Sequence, residues 1–367
     1  MKPAMSTQIA VIGLGLMGGS LGLSLARAGY PVTGWDSDAA ARTEAFKMGA
    51  VSRRTDSLAE TVAAADLIFV ATPVDFIAET IRLCLPAVKS GVIFSDLGSI
   101  KQVIIDQVLA FLPDSCFFVP GHPMTGSEQQ GMMAADPFLF QNAAYILVDH
   151  PRTPRAVRER VGSILTNTGA HLLILGAAEH DRIVGFVSHL PHLIAAVLAK
   201  TAGSEEASNP GTLNLAAGGF RDTTRVAMGS PVLWEGIISS NKQMVLEAIA
   251  GFERELAVAR QFIAADDPDG LIRFLARARE VRLQIPAKNK GFLTLLFELV
   301  VTIEDRPGAI HEVLQFLADE GLNIKDIEIL RVREGDGGTM RLALENEADV
   351  ERALSVLATK GFKAKRR

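Results

Sequence analysis

The chain has 367 residues, more than one hydrophobic core usually serves, so we expect two or three domains. Its 37 basic and 42 acidic residues nearly balance, which argues against a nucleic-acid partner. Cys84 and Cys116 lie in apolar segments without metal-ligand spacing, and we interpret them as buried free thiols. The first residues lack the apolar stretch of a signal peptide, and we expect a cytoplasmic protein with no metal and no membrane partner.

Short β-branched or apolar runs alternate with helical patterns from residue 8 to about residue 175. This alternation is typical of βαβ units on a parallel sheet. The predicted strands are Ile9–Ile12, Val32–Trp35, Leu67–Ala71, Val92–Phe94, Phe117–Val119 and Ala144–Val148. From Glu179 to about Gln284 apolar residues recur at helical spacing instead, which predicts an all-α domain.

A polar run with a proline, VRLQIPAKNKG at 281–291, predicts a break between domains. The segment after it has the order strand, helix, strand, strand, helix, with a glycine-rich hairpin at 335–338 and a possible last strand at Phe362. That order predicts a small α+β domain of ferredoxin-like type. The resulting assignment is 1–178 for an α/β domain, 179–287 for a helical domain, 288–294 for a linker and 295–367 for the α+β domain.

A glycine turn directly follows the first predicted strand and opens a helix. Glycines at 13, 15 and 18 suit a tight turn, close backbone approach to a pyrophosphate, and close packing of helix on strand. Asp36 ends the second strand, where a carboxylate accepts the ribose hydroxyls and repels a 2′-phosphate, so NAD is favoured over NADP, with a flavin as the alternative. The predicted cofactor-binding residues of this Rossmann-like domain are Gly13, Gly15, Leu16, Met17, Gly18, Asp36, Thr72 and Pro73.

Two polar clusters follow predicted strands, at residues 96–99 and 121–128, and we expect both at the sheet edge that carries the glycine turn. A dehydrogenase needs a base for the hydroxyl proton, and His122, in a loop between Gly121 and Pro123, has a suitable pKa. Ser99 is placed to hydrogen-bond its ring and fix the tautomer. The alternative is a structural histidine.

A third polar cluster lies in the helical domain and comprises Ser188, His189 and His192, followed by Arg221 and Arg225. Two histidines three residues apart can share a helix face and ligate a metal, but no third ligand has matching spacing, so polar substrate contacts are favoured. Arginines four apart suit recognition of a carboxylate. Surface salt bridges are the alternative for the pair.

The motifs GLGLMGGS, DLGSIK, GHPMTGSE, VSHLPH and GFRDTTR together resemble the prephenate dehydrogenase family, which includes arogenate and cyclohexadienyl dehydrogenases, over residues 8 to about 285. The segment DRPGAIHEVLQFLADEGLNI resembles an ACT domain, a regulatory module that commonly binds amino acids. Thr125 departs from the family pattern, where alanine is usual.

The resemblance implies a role for each motif residue. His122 would take the proton of the ring hydroxyl while hydride passes to NAD, and Ser99 would orient it. Arg225 would bind a substrate carboxylate and Glu128 would lie at the mouth of the site as a gate. Arg221, Ser188, His189 and His192 would complete the substrate site, and the helical domain would form a homodimer.

For the ACT domain, the resemblance implies an effector site where the DRPG turn meets the next helix and a neighbouring copy. The effector-binding residues would be Gly308, Ala309, Asn323 and Ile324. Tyrosine is the natural effector to expect, and a purely oligomerising block is the alternative.

Other functions stay open from the sequence. Arogenate, which carries an amino group where prephenate carries a keto group, would fit the same motifs. A β-hydroxyacid dehydrogenase with Lys242 as its base shares the glycine turn, but its glycine-rich substrate loop is absent. A non-catalytic, NAD-sensing regulator is the third alternative.

Overall fold

The computed structural model describes residues 7–126, 129–285, 296–333 and 337–366. The chain divides into two compact units at about residue 291. The predicted gate Glu128 and part of the predicted hairpin at 335–338 lie outside the described residues.

Six described strands of the first unit form a parallel sheet with the order β3-β2-β1-β4-β5-β6. Their bounds are β1 Ile9–Ile12, β2 Val32–Trp35, β3 Arg53–Arg54, β4 Leu67–Val70, β5 Ile93–Asp96 and β6 Phe117–Val119. The helices between them are α1 Leu16–Arg27, α2 Ala39–Lys47, α3 Leu58–Val62, α4 Ile77–Cys84 and α5 Gln102–Leu109. Buried side chains form two apolar clusters, and the alternation of strand residues between them indicates that both sheet faces are covered. Because all six strands run the same way, their carboxyl ends meet at one edge.

Ala144–Val148 is a strand, as predicted, but it does not belong to the main parallel sheet. This strand, β8, lies in a separate three-stranded sheet between β7 (Gly121–Pro123), to which it is antiparallel, and β9 (His171–Leu175), to which it is parallel. The main sheet's last strand ends at Val119. The next residue, Pro120, has no N–H for a ladder, while its carbonyl accepts from the N–H of Val148. The strand β3 was not predicted, because two exposed arginines carry no apolar pattern.

The rest of the first unit is helical, as predicted. Its helices are α6 Arg155–Thr166, α7 Ala177–Val184, α8 Leu190–Ser208, α9 Gly218–Thr224, α10 Pro231–Ser240, α11 Lys242–Ala264 and α12 Pro268–Gln284. The helix α12 continues to Gln284, so the polar break predicted from residue 281 begins later than expected. Arg282, in the described part of this stretch, is a good helix former and is exposed.

The second unit has the predicted α+β architecture. The described strands β10 Phe297–Ile303, β11 Asp326–Arg333, β12 Gly337–Leu344 and β13 Ala364–Arg366 form an antiparallel sheet of order β11-β12-β10-β13. The helices α13 Ala309–Asp319 and α14 Glu347–Thr359 supply Val313, Leu317 and Leu357 to its apolar core. The last strand begins two residues after Phe362, close to where it was expected.

Candidate active site

The glycine turn between β1 and α1 has the backbone that the sequence predicts. Gly13 has φ +91, and a side chain there would lie 2.7 Å from the carbonyl oxygen of Ala71. A Cβ on Gly18 would overlap the carbonyl oxygen of Gly13, so helix and turn pack in contact. A Cβ on Gly15 meets no described atom within 4 Å, so the turn is open on that side, and no described side chain caps the first turn of α1. The helix N-terminus therefore fits a pyrophosphate.

Asp36 lies beside this turn. Its Oδ2 accepts a 2.7 Å hydrogen bond from the backbone N–H of Leu14. Ser37 and Asp38 follow Asp36 in the sequence and offer no arginine, but folding brings Arg42 of α2 there. The Arg42 guanidinium donates to the carbonyl of Asp36 at 2.6 Å and lies 3.3 Å from a carboxylate oxygen of Asp56. This cation is thus already engaged, while the Asp36 carboxylate remains at the strand end.

Thr72 and Pro73 follow β4 at the same edge. The backbone nitrogen of Thr72 lies 3.0 Å from where a Cβ on Gly13 would be. The Thr72 hydroxyl is buried and has no hydrogen-bond partner among the described residues. An orphaned hydroxyl beside the glycine turn fits a polar ligand at this position.

His122 lies on a strand rather than in the loop that the sequence analysis expected. It is the middle residue of β7 and pairs with Ile146 of β8. The ladder fixes its backbone, and its side chain is only 8% exposed. The expectation of a loop at His122 was therefore wrong, because the pairing with β8 depends on a contact that is distant in sequence.

The ring of His122 begins a chain of three hydrogen-bonded side chains. Its Nδ1 lies 2.7 Å from Nε2 of His180, and Nδ1 of His180 lies 2.8 Å from Oδ1 of Asp181. An ionised carboxylate only accepts, so His180 donates from Nδ1 and accepts at Nε2, and His122 donates from Nδ1. This network assigns the free lone pair of His122 to Nε2.

The charge states support that assignment. Burial alone would raise the pKa of Asp181, but hydrogen bonds from His180 and the backbone N–H groups of Gln102 and Lys101 together hold it below its ordinary value. Burial, followed by the neighbouring His180, Lys101 and His189, holds the pKa of His122 well below its ordinary value. A neutral His122 imidazole that is connected through His180 to the ionised carboxylate of Asp181 suits a general base.

A π-helical turn, Gly185–His189, joins α7 to α8 and carries part of the predicted substrate cluster. Pro191 follows it and has no N–H to donate to the preceding turn, which favours such a bulge. Ser188 is half-buried and His189 is buried in this turn. Asn241 binds its end, with Nδ2 at 2.8 Å from the carbonyl of Asp181 and 3.2 Å from Nδ1 of His189.

His192 packs against an aromatic side chain from α10. Its ring stacks on Trp234 with centroids 3.6 Å apart and planes 13° apart. The buried Nδ1 of His192 has no hydrogen-bond partner among the described residues. His189 meets the same indole edge-on at 6.2 Å, so Trp234 lies between two predicted substrate residues.

The two arginines lie on the segment that precedes this stack. Arg221 belongs to α9 and Arg225 begins the short 3₁₀ helix Arg225–Met228, and both are exposed. Gly229 comes next, and a Cβ there would lie 2.7 Å from the indole nitrogen of Trp234 and 3.3 Å from the ring of His192. The segment that carries the arginines therefore packs, at Gly229, against the stack of His192 and Trp234. The substrate contacts of Arg221 and Arg225 stay a prediction.

Two remaining positions of the motifs differ from expectation in detail. Nδ1 of His122 donates its hydrogen bond to Nε2 of His180, whereas Ser99, half-buried after β5, was expected to fix the tautomer. A contact of Ser99 with the ring stays a prediction. The hydroxyl of Thr125 donates to the carbonyl of Leu139 at 3.2 Å, so it is anchored to the protein.

The sequence analysis missed four residues around His122. They are His180, Asp181, Lys101 and Asp96, which accepts a hydrogen bond from Gly121. His180 and Asp181 stand in AAEHDR, whose polar letters look like an exposed helix face. A usable signal was present in DLGSIK, because both an acid and a lysine in one strand-to-helix loop require partners if the loop is buried.

Comparison with known protein families agrees with this architecture. Models of the prephenate dehydrogenase nucleotide-binding domain, the prephenate dehydrogenase dimerization domain and the ACT domain match residues 21–174, 176–277 and 297–361. The chain is 34% identical over 355 residues to prephenate dehydrogenase of Bacillus subtilis, covering 95% of each chain. It is 32% identical to cyclohexadienyl dehydrogenase of Zymomonas mobilis over 281 residues, which are 76% of this chain and 95% of the relative.

Solved structures give the same result for the first unit. The Aquifex aeolicus prephenate dehydrogenase, in complex with hydroxyphenyl propionate and NAD⁺, has a TM-score of 0.71 and 27% identity, covering 76% of this chain and 98% of its own. The Synechocystis arogenate dehydrogenase has a TM-score of 0.66 and 28% identity, covering 76% and 99%.

A Rossmann-like domain with an acid at the ribose end, joined to a helical domain that covers a neutral buried histidine, defines an NAD-dependent dehydrogenase. The identity across almost the whole chain narrows this class. The chain belongs to the prephenate dehydrogenase family and carries an ACT domain.

Proposed function

We propose that the chain catalyses the NAD-dependent oxidative decarboxylation of prephenate to 4-hydroxyphenylpyruvate, with His122 as the base. The observation that carries the proposal is the hydrogen-bonded chain His122–His180–Asp181, which leaves Nε2 of a neutral ring free. A free imidazole lone pair is what removal of a hydroxyl proton requires.

In the proposed reaction Nε2 of His122 takes the proton of the ring hydroxyl. The glycine turn and Asp36 would hold NAD⁺, which would supply the acceptor for the hydride that leaves the hydroxyl-bearing carbon. The bond to the ring carboxylate then breaks, its electron pair enters the ring, and CO₂ leaves. The ring becomes aromatic as its oxygen takes the proton back from Nε2 of His122. His180 and Asp181 stabilise the imidazolium that forms, since its Nδ1 proton already points at His180.

The substrate's carboxylates need cationic partners, and Arg225 and Arg221 are proposed for that role. Both are exposed on the segment that leads to Gly229 and the His192–Trp234 stack. The unpartnered Nδ1 of His192 offers a further hydrogen bond to a polar group of the substrate.

NADH formation on adding prephenate and NAD⁺ tests the reaction. His122→Asn should lose activity by about 10²-fold to 10⁴-fold, because it removes general-base catalysis. His311→Asn, an exposed histidine of α13, is the matched control and should keep it. Near-normal turnover by His122→Asn would refute the assignment of the base.

Arogenate is the second candidate substrate, because one structural relative is an arogenate dehydrogenase. The comparison of kcat/KM for prephenate and arogenate on the same preparation decides between them. We propose prephenate because the relatives from Bacillus subtilis and Lactococcus lactis, each matched over 95% of this chain, are prephenate dehydrogenases.

We also propose that tyrosine binds the ACT domain and inhibits the enzyme. Gly308 has φ +89 and stands before α13, so backbone N–H groups of its first turn are available to a carboxylate. Ala309 is buried there, and Asn323 and Ile324 would come from a neighbouring copy. Titration of tyrosine against the full chain and a chain ending near Ala287 tests this, and equal sensitivity of the two would disprove it.

We infer that the helical region dimerises in the cytoplasm. Several of its large apolar side chains face outward, among them Val197, Leu256, Ile263, Ile272 and Leu275. The same region matches a dimerization-domain model, and the apolar helical stretch 177–208 belongs to it. Leu256→Glu with Ile263→Glu should produce a monomer in light scattering, and an unchanged dimer would contradict this interface.

A further inference from the structure

Asp96 and Lys101 form an ion pair inside the first unit that no step of the proposed reaction uses. Both side chains are 0% exposed, and Lys101 Nζ donates to Oδ2 of Asp96. A buried pair of this kind is costly in desolvation and is often no more stable than an apolar pair of similar size. Its position suggests a purpose other than stability.

The pair binds both backbone polar groups of Gly121, the residue before His122. Lys101 Nζ donates to the carbonyl of Gly121 at 2.7 Å, and Oδ1 of Asp96 accepts from its N–H at 3.1 Å. Gly121 also has no room for a side chain, since a Cβ would lie 2.9 Å from the carbonyl oxygen of Asp96. The strand that carries the base is thus held at its first residue from two sides.

The main chain of Lys101 holds the other end of the histidine chain. Its N–H donates to Oδ1 of Asp181 at 2.7 Å, and the N–H of Gln102 donates to Oδ2 at 2.8 Å. One residue therefore contacts both the backbone before His122 and the carboxylate that orients His180.

We propose that Lys101, through its ion pair with Asp96, is a positioning residue for the reaction: it holds Gly121 and thereby places the ring of His122 against the substrate hydroxyl. This inference rests on the proposed function of His122 as base. Lys101 does not touch the reacting atoms and acts through the strand.

The charge of Lys101 adds an electrostatic effect that a purely structural clamp would lack. Burial lowers the pKa of Lys101, and the Asp96 carboxylate opposes that shift, so the pair keeps a charged amine near the base. That cation is one of the groups that lower the pKa of His122, after burial and His180. Loss of the cation should move the acid limb of kcat/KM to higher pH.

The test compares Lys101→Met, the neutral pair Asp96→Asn with Lys101→Met, and Val62→Ala in the full-length enzyme. Val62 is buried on α3 and takes no part in the site, so it reports the effect of a destabilised core alone. For each protein the free energy of unfolding, NAD⁺ affinity, KM, kcat and the pH profile are measured.

We expect Lys101→Met to lower kcat by about 10²-fold, because a small misplacement of the base costs that much, with NAD⁺ affinity retained. The neutral pair should recover stability, having no unpaired buried charge, without recovering kcat or the wild-type acid limb. If Lys101→Met does not fold, the neutral pair supplies the comparison.

Wild-type kcat and an unshifted acid limb in the neutral pair would overturn the proposal and leave the pair a structural clamp. The proposed function is tested separately by the wild-type enzyme: no NADH from prephenate defeats that proposal, whereas normal wild-type activity with unaffected variants defeats only the role of Lys101.

Discussion

Nδ1 of His122 and Nε2 of His180 are 2.7 Å apart although the residues are 58 positions apart in sequence. One comes from strand β7 of the dinucleotide-binding region and the other from helix α7, so the ring of His122 is aligned only when the two regions pack together. The position of the His122 ring therefore depends on how β7 packs against α7.

His180→Gln should lower kcat by about 10²-fold or more, because it removes the group that fixes the tautomer of His122 and stabilises its imidazolium. KM for prephenate should change little, since His180 is wholly buried. Steady-state kinetics check this, with His311→Gln, an exposed histidine of α13, as the control. Unchanged kcat would show that His122 needs no such support.

The stability of the protein should fall between pH 6.5 and pH 4, in part because of His189. Burial is the largest cause that lowers its pKa from 6.5 to about 4. Above pH 6.5 the ring is neutral in both states; below it the unfolded chain binds a proton that the native state does not, so acid favours unfolding.

His189→Gln should remove up to about 3 kcal/mol of that loss. Urea unfolding of both proteins across this pH interval measures the two slopes. Equal slopes would mean that His189 titrates normally in the folded protein.

Local sequence was enough to predict the nucleotide turn. The close contact of Gly18 with the carbonyl of Gly13 lies within the turn and depends on a short stretch of chain, whereas Ala71, which Gly13 meets, comes from the end of β4. His122 could be singled out for the same reason, because GHPM is a local pattern after a strand. Its ladder with β8 and its partner His180 could not, because both depend on packing between distant segments.

The buried ion pair marks another limit of the sequence. In DLGSIK the aspartate and lysine look like ordinary loop and helix-start residues. They become buried only because β7 and α7 pack against this segment. Arg42 likewise lies six residues after Asp36, and its approach to that residue follows from the turn into α2.

Trp234→Leu should raise KM for the substrate by about 5-fold, because a stacked aromatic pair contributes about 1 kcal/mol and His192 loses its support. Trp234→Phe keeps a ring in contact and should lie between the two. The expected result is a change in KM with kcat nearly constant. An equal fall in kcat would instead mean that the stack of His192 and Trp234 stabilises the transition state.

Gly308→Ala should weaken tyrosine inhibition and destabilise the ACT unit by about 1 kcal/mol, because φ +89 is unfavourable for a residue with a side chain. Gly361→Ala is a matched control: its φ is +84, and a Cβ there also meets no described atom within 4 Å. Both variants should lose similar stability, and only Gly308→Ala should shift the tyrosine titration. Equal inhibition curves would remove Gly308 from the effector site.

The choice between NAD⁺ and NADP⁺ should depend on the charge of Asp36. Asp36→Asn keeps an oxygen for the N–H of Leu14 but loses the carboxylate, so kcat/KM for NAD⁺ should fall about 10-fold while that for NADP⁺ rises. Asp38→Asn is the control, since Asp38 caps α2 through Ala40 instead.

Adding Asp56→Asn to Asp36→Asn should raise NADP⁺ use further, because Arg42 then loses the carboxylate that it now binds. The ratio of kcat/KM for the two cofactors measures each step. If Asp36→Asn alone stays strictly selective for NAD⁺, the shape of the cofactor site, and not the repulsion between Asp36 and a 2′-phosphate, sets the preference.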